Sequence, residues 1–217
     1  MTAPGGASSR PSQIAMTEAL IGPNAIIQVA GAIQREFGPD RLGRVMRLAQ
    51  LEHYISNPPE HMVSESEVTR LHQAVVNALS AGNGCEVMWH AGQNTARYLL
   101  ANRIPRSAQV ILKVLPAPLA ARLLLKAIER HAWTFAGSSQ FRYCARHPVR
   151  ISLTGSPMFA SPASRQLAAR YFEATFVTLF CELVSARTSV VTSSSHANAQ
   201  GADGNAAACA FDLDWTS

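Results

Sequence analysis

Apolar side chains recur every three or four residues through most of the first 130 positions, the spacing of one buried helix face. A first helix is predicted to begin near Pro23, a residue favoured in the first turn, and to end at Gly38. A second is predicted over about 41–55, where the SNPPE sequence stops it. These two helices are expected to open the hydrophobic core.

A third helix is predicted to begin at a capping box formed by Ser64 and Glu67. His72 falls in its apolar stripe and is therefore expected to face the interior. The GNG sequence lacks the third glycine and the preceding strand of a dinucleotide-binding loop, so we interpret 80–84 as a turn that ends the helix. A fourth helix, over about 85–102, is small or apolar on most of its circumference and is predicted to be largely buried.

A short helix is predicted after the RIPRS sequence, and a longer one begins at Pro118. The longer helix divides into a charged face and an apolar face. The charged face carries Arg122, Lys126, Glu129 and Arg130. The inward face is predicted to consist of Ala120, Leu123, Leu124, Ala127, Ile128 and His131.

The period changes to two in the last third of the chain, which indicates strands. Two alternating segments flank ARHP and predict a hairpin; a helix over about 164–185 follows, and strands are predicted at 187–193 and 209–215. A Ser-, Ala- and Gly-rich segment at 193–208 is expected to be a mobile loop. We predict an α+β fold, a mainly helical single domain with a late antiparallel sheet of about four strands.

The composition, 47% hydrophobic and 15% charged over 217 residues, is typical of a chain with a packed core. We predict a flexible tail at 1–13 and one domain at 14–217. No apolar run approaches the roughly 18 residues of a membrane span, and the N-terminus lacks the apolar core of a secretion signal. We therefore expect a cytoplasmic protein without a transmembrane segment.

The net charge of +5 is unevenly distributed. Residues 97–150 contain ten Arg or Lys and one acid, Glu129, whereas residues 51–86 contain five Glu and one Arg. A local cationic zone indicates an anionic partner, which could be a small carboxylate ligand, an acidic protein surface or nucleic acid.

Two histidines on apolar helix faces are candidate site residues. A buried histidine such as His72 is most often a hydrogen-bonded core residue. His131 leads into Trp133 and Phe135, rings that can line a flat apolar cavity, and Gly137 permits close backbone approach. In such a cavity a neutral imidazole can be an axial ligand to a metal at the centre of a macrocycle, or a proton donor.

Arg103 and Arg106 flank the end of the fourth predicted helix. They can form a fork for a ligand carboxylate, or they can simply favour the helix C-terminus through its dipole. The four cysteines show no CxxC and no metal-ligand spacing, so we interpret them as small buried hydrophobic residues in a reducing compartment.

The blocks YLLANRIP and RHAWTFAGS, with IGPNAIIQVAGAI and PPEHMVSESEVTRLH, resemble the bacteriochlorophyll 4-vinyl reductase family of photosynthetic bacteria. The resemblance covers about 20–211. It implies an α+β ligand-binding domain similar to haem-based nitric oxide sensors and to a Golgi-tethering subunit. It also implies a role at reduction of the C8 vinyl group of a divinyl Mg-tetrapyrrole, a protochlorophyllide or chlorophyllide. Tyr98, within the first block, joins the predicted ligand-binding residues.

The sequence departs from the family at three positions where related domains often carry cysteines. Here these positions are Ser161 or a residue nearby, Ser195 and Cys209, so only one thiol is present. A cysteine-cluster metal site is therefore not expected. Vinyl reduction needs two electrons and two protons, yet no nicotinamide, flavin or iron–sulfur signature is present, so no cofactor is evident. Our hypothesis is that the protein binds and presents the pigment, and that a separate enzyme supplies the hydride.

Three alternatives stay open: a reductase using an external electron donor, an adaptor for other proteins, and a nucleic-acid binder that uses the Arg and aromatic residues of 130–150. We expect no nucleic-acid partner. The expected partners are a Mg-tetrapyrrole and other enzymes of bacteriochlorophyll biosynthesis, and self-association is compatible with the sequence. The central expectation is that the late helices and the sheet enclose a slot for the planar pigment, with polar anchors facing in.

Overall fold

The computed structural model describes residues 18–194 and 209–215. The predicted tail at 1–13 and most of the predicted loop at 193–208 lie outside these residues. The first element is a short antiparallel pair of strands, β1 (Leu20–Ile21) and β2 (Val63–Ser64). The sequence analysis missed this pair because two-residue strands are too short to show a period.

Helix α1 (Asn24–Ala49) contains the two segments on either side of the predicted stop. At Gly38 the backbone leaves helical geometry, with φ 81° and ψ 175°, so the stop is a kink between two helical segments. The second segment ends earlier than predicted, because Gln50 adopts a left-handed conformation. A separate short helix, α2 (His53–Ser56), occupies the end of the predicted 41–55 span.

Helix α3 (Glu65–Ala78) begins at Ser64, and the predicted capping box with Glu67 is present. The prediction of a turn at 80–84 is wrong, because α4 (Ala81–Asn102) begins directly after Ser80. The Ser80 hydroxyl accepts a hydrogen bond from the Asn83 N–H at 3.3 Å and caps the helix. Gly82 and Gly84, which the sequence analysis interpreted as part of a turn, therefore lie in the first turn of α4.

Helices α5 (Arg106–Val114) and α6 (Ala117–Arg130) follow, and a 3-10 turn (Ala132–Thr134) ends the helical half. The predicted inward face of α6 is partly wrong. Leu123 is exposed, as is Ala127, and the buried row consists of Ala120, Ala121, Leu124 and Leu125. With three consecutive leucines in α6, the sequence pattern could not decide which of two apolar rows would be covered.

The late antiparallel sheet is confirmed. It consists of β3 (Gln140–Cys144), β4 (Val149–Thr154), β5 (Thr188–Ser194) and β6 (Cys209–Trp215), in the order β3-β4-β6-β5. All three pairings are antiparallel. As predicted, one face of β6 is buried, with Cys209, Phe211, Leu213 and Trp215 turned inward.

Between β4 and β5 lies α7 (Pro162–Leu183), preceded by a second 3-10 turn (Pro157–Phe159). The residues at 171–176 are all buried, which places the middle of α7 inside the molecule. The helix packs most extensively against α4 on one side and contacts the sheet on the other. The predicted α+β class is thus confirmed, with α7 as the layer between helices and sheet.

Within the described residues, no helix is long and apolar enough to span a bilayer.

The crossing of α4 and α7 is set by Gly92. A Cβ at Gly92 would overlap the carbonyl oxygen of Tyr171 and lie 2.9 Å from the Cβ of Ala174. Thr175 donates a hydrogen bond from Oγ1 to the Gly92 carbonyl at 3.1 Å across the same contact. The two helix backbones can approach this closely only where the side chain is a hydrogen atom.

We expect Gly92→Ala to lower the free energy of unfolding by about 2 kcal/mol or more, because helices α4 and α7 must separate to admit the methyl group. Urea denaturation measures this loss. Gly31→Ala in α1 is the matched control, because a Cβ there meets nothing within 4 Å. The control should be neutral or stabilising by up to about 1 kcal/mol. Equal effects of the two substitutions would contradict the packing argument.

Candidate functional site

The segment 131–139, called here the 131–139 loop, links α6 to β3 and carries most of the predicted site residues. A buried carboxylate holds it from inside. Glu65 accepts a hydrogen bond from the Ser156 hydroxyl at 2.6 Å and another from the Ser138 N–H at 3.2 Å. On the side of β1, the Gly22 N–H donates to the Thr134 carbonyl at 2.7 Å. The loop is therefore fixed to both α3 and β1.

Gly137 has the close approach that the sequence analysis predicted, but its neighbour is protein. Its φ is +57°, and a Cβ would lie 2.7 Å from the Glu65 Oε1 atom. A side chain here would be strained by the backbone conformation and would also displace the carboxylate. Gly137 thus lets the loop turn over Glu65.

Phe135 is half-buried and joins the loop to an aromatic cluster under the sheet. Its ring centroid lies 5.7 Å from that of Phe141, in an edge-to-face arrangement, and 6.4 Å from that of Phe176. The cluster continues through Phe172 and Phe211. Rings at these separations are in packing contact, so they occupy the space between α7 and the sheet where a pigment slot was expected. The expectation of a preformed slot at this place is wrong.

His131 and Trp133 face solvent, contrary to the prediction that His131 points inward. The periodicity places His131 on the inward face of the helix, but α6 ends at Arg130. His131 has φ −106° and ψ 8°, outside helical geometry, so the helical spacing no longer sets its direction. Trp133 is 65% exposed. The loop therefore presents an imidazole and an indole outward, while Phe135 and Ala136 fasten it to the interior.

Tyr98, Arg103 and Arg106 lie in another part of the fold. Tyr98 is half-buried near the end of α4, and both arginines are exposed. Helix α4 packs on α1 and α7, whereas the 3-10 turn that holds Trp133 packs on β1 and α6. The structure thus does not join the predicted arginine fork to His131. At this end of α4, the side chain of Gln109 donates hydrogen bonds to the carbonyl groups on either side of Arg103, those of Leu100 at 2.6 Å and Ile104 at 2.8 Å.

His72 does face the interior, as predicted, and is 3% exposed. Among the described residues nothing hydrogen-bonds to its Nδ1 atom. Burial in apolar surroundings lowers the pKa of His72 to about 4, so the ring is neutral at physiological pH. Since His131 is on the surface, the two histidines do not line one pocket.

The cysteines do not support a metal centre. In the chain segments that the structure describes, no group of three or more His, Cys, Asp or Glu residues could hold a metal ion. Cys209 is buried, and burial raises the pKa of its thiol to about 12. Cys85 and Cys181 are half-buried, while Cys144 is exposed, so the prediction of buried cysteines is wrong for Cys144.

A groove that the sequence analysis missed lies where the start of α6 meets the end of α7. It is an open surface groove with a volume of about 480 Å³. Beside it, His147 packs edge-on against Trp215, and its Nε2 atom lies 2.6 Å from the Asp214 carboxylate. The residues that line the groove come from three distant parts of the chain, so no local sequence motif could reveal it. The lining residues are Ala117, Pro118, Val184, Ser185, Ala186, Arg187 and Trp215.

The 131–139 loop has the chemistry of a surface platform for a flat ligand. An indole stacks on aromatic rings, and a neutral imidazole binds a metal ion at an open coordination position. Arg130, exposed at the end of α6, adds a cation for an anionic substituent. The hydrogen bonds from Ser138 to Glu65 and from Gly22 to Thr134 hold the loop that carries His131 and Trp133.

The fold and this site define a single-domain α+β protein with an outward-facing aromatic and histidine platform. The chain is 42% identical over 166 residues to the bacteriochlorophyll synthase 23 kDa chain of Rhodobacter capsulatus, covering 75% of this chain and 76% of that protein. It is 35% identical over 164 residues to the protein of the same name from Cereibacter sphaeroides, covering 76% and 78%. No family model matches the chain. The chain belongs to the family of bacteriochlorophyll synthase 23 kDa chains.

We expect Glu65→Ala to lower the free energy of unfolding by about 2–3 kcal/mol, because the buried Ser156 hydroxyl and the Ser138 N–H lose their acceptor. Urea denaturation checks the loss. Glu86→Ala, which removes an exposed carboxylate from α4, is the control and should change stability by less than about 0.5 kcal/mol. A neutral result for Glu65→Ala would show that the carboxylate does not anchor the loop.

His72 is expected to make folding stability depend on pH. The unfolded state takes up a proton near the ordinary pKa of 6.5, whereas the folded state resists it down to about 4. Stability from the neutral ring is therefore present above pH 6.5 and is lost as the pH falls towards 4, by up to about 3 kcal/mol. Denaturation curves at pH 7 and pH 4.5 measure the loss. His72→Leu should reduce it and exposed His61→Leu should not; parallel pH profiles for all three proteins would refute the assignment.

Proposed function

We propose that this chain acts in bacteriochlorophyll biosynthesis by binding a divinyl Mg-tetrapyrrole and presenting it for reduction of the C8 vinyl group. The observation that carries the proposal is the identity of 42% to a protein named bacteriochlorophyll synthase 23 kDa chain. The resemblance to the 4-vinyl reductase family supports the particular step. We further propose that the protein works in the cytoplasm with other enzymes of the pathway.

The binding surface we propose is the outer face of the 131–139 loop. Trp133 stacks on the macrocycle, His131 coordinates the central magnesium from one side, and Arg130 pairs with a propionate. All three residues are exposed, and this supports binding at the surface in place of the enclosed slot. A pigment held in this way keeps its other face and its vinyl edge open to a second protein.

The role we favour is that of a carrier. Reduction of the vinyl group consumes a hydride and a proton, which a separate nicotinamide- or flavin-dependent enzyme would deliver to the exposed pigment. The competing function is a reductase that accepts electrons from an external donor. Incubation of purified protein with divinyl chlorophyllide and NADPH separates the two, since turnover without a second protein would refute the carrier role.

We expect titration with divinyl protochlorophyllide to shift its Soret band, and His131→Ala to abolish the part of the shift that comes from axial coordination. Trp133→Ala should weaken binding by about two- to tenfold through loss of ring stacking. His61→Ala, at another exposed histidine, is the control and should leave the titration unchanged. A full shift in both loop variants would exclude the 131–139 loop, and the absence of any shift in the unaltered protein would exclude pigment binding.

A further inference from the structure

Helices α5 and α6 carry most of the large apolar side chains that are exposed among the described residues. On α5, Val110 is 61% exposed, Ile111 is 55% exposed and Val114 is 76% exposed. On α6, Leu119 and Leu123 are also exposed. The two helices are consecutive in the chain and are joined only by Leu115 and Pro116. We call these five exposed side chains the apolar ridge.

The apolar ridge is not needed for the protein's own core. Helix α5 is strongly amphipathic but buries only Leu112 against its neighbours. Helix α6 packs through its other apolar row, which includes Leu124 and Leu125. Leu119 and Leu123, one helical turn apart, therefore form a second apolar row that the fold leaves in solvent.

Cations accompany the apolar ridge. Between positions 97 and 128 the chain contains six Arg or Lys residues and no acid. On α6, Arg122, Lys126 and Arg130 recur at every fourth residue, and all three are exposed. They form a basic row beside Leu119 and Leu123, and Glu129 is the one acid of α6 on the same charged face. Lys113 on α5 forms an exposed ion pair with Glu182 on α7, and its Nζ atom lies 3.8 Å from the Glu182 carboxylate.

The combination of apolar and cationic rows narrows the choice of partner. A nucleic acid would bind the cations but would leave Val110, Ile111 and Val114 in water. A second copy of the chain would bring two basic rows together, and like charges would repel. A bilayer surface that contains anionic lipid satisfies both features, since its headgroups pair with the cations and its acyl boundary receives the apolar side chains.

We propose that α5 and α6 dock the protein on the surface of a membrane containing anionic phospholipids. The helices lie along the interface without crossing it, with the apolar ridge in the acyl boundary and the basic row at the headgroups. Trp133 follows three residues after Arg130 and is exposed, and an indole at the end of such a helix is favoured at the interface. Arg130 and Trp133 also belong to the proposed pigment surface, so the docking is tested in the absence of pigment and with variants at other positions.

Co-sedimentation of the purified protein with vesicles tests the docking. We expect binding to vesicles of mixed phosphatidylglycerol and phosphatidylcholine, little binding to phosphatidylcholine alone, and release as salt is raised. Binding should also shift the emission of Trp133 to shorter wavelength, and Trp133→Phe should remove most of that shift. Equal binding to both kinds of vesicle, or none to either, would overturn the proposal.

Two pairs of variants assign the binding to the ridge and the basic row. Arg122→Glu with Lys126→Glu should lower the partition onto anionic vesicles by about tenfold or more. Val110→Ser with Val114→Ser should lower it comparably while leaving its salt dependence. All four positions are exposed, and unfolding curves verify that the variants are folded.

Helix α1 supplies matched controls, with exposed cations at Arg44 and Arg47 and the exposed Leu48. Arg44→Glu with Arg47→Glu, and separately Leu48→Ser, should bind vesicles as the unaltered protein does. If the α1 and α6 charge variants lose binding equally, the attraction is a property of net charge and the proposal fails. Vesicle binding that is abolished by competing RNA, or a dimer dispersed by the Val110 and Val114 substitutions, would likewise assign the surface to another partner.

Discussion

The structure depends on burying helix α7 on every side. Six consecutive positions, 171–176, are buried, so neither a helical layer nor a sheet alone could cover them. Helix α4 covers one side through the contact at Gly92, and the inward rings of Phe141 and Phe211 cover the other. The chain order follows this arrangement, since α1 to α6 come first, α7 is inserted between β4 and β5, and β5 and β6 complete the sheet over it.

The same enclosure decides what the 131–139 loop can do. The rings of Phe135, Phe172 and Phe176 fill the space that a planar ligand would need beneath the sheet. The loop is tied to this interior by Phe135 and to α3 by Glu65, and His131 and Trp133 are the large side chains that it presents to solvent. A function based on the loop is therefore a function of the molecular surface, and this favours presentation of a ligand over its sequestration.

The two proposed functional surfaces meet at the C-terminal end of α6. The basic row ends at Arg130, and the next residues are His131 and the exposed Trp133. A protein that lies on a membrane by α5 and α6 would hold the 131–139 loop near the headgroups, where amphipathic pigments and membrane-associated enzymes meet. The groove beside Trp215 is on the opposite, N-terminal end of α6, away from the 131–139 loop.

The sequence alone determined the α+β class, the capping box of α3, the hairpin and the buried face of β6, because each follows from periods and caps within a few residues. It also located the cationic zone and the burial of His72. Tertiary structure decided which of the two apolar rows of α6 is covered, that His131 lies beyond the helix end, and that α4, which ends before Arg103, packs on other elements than the turn holding Trp133. These outcomes depend on which elements pack together, and a local pattern carries no information about its neighbour across the core.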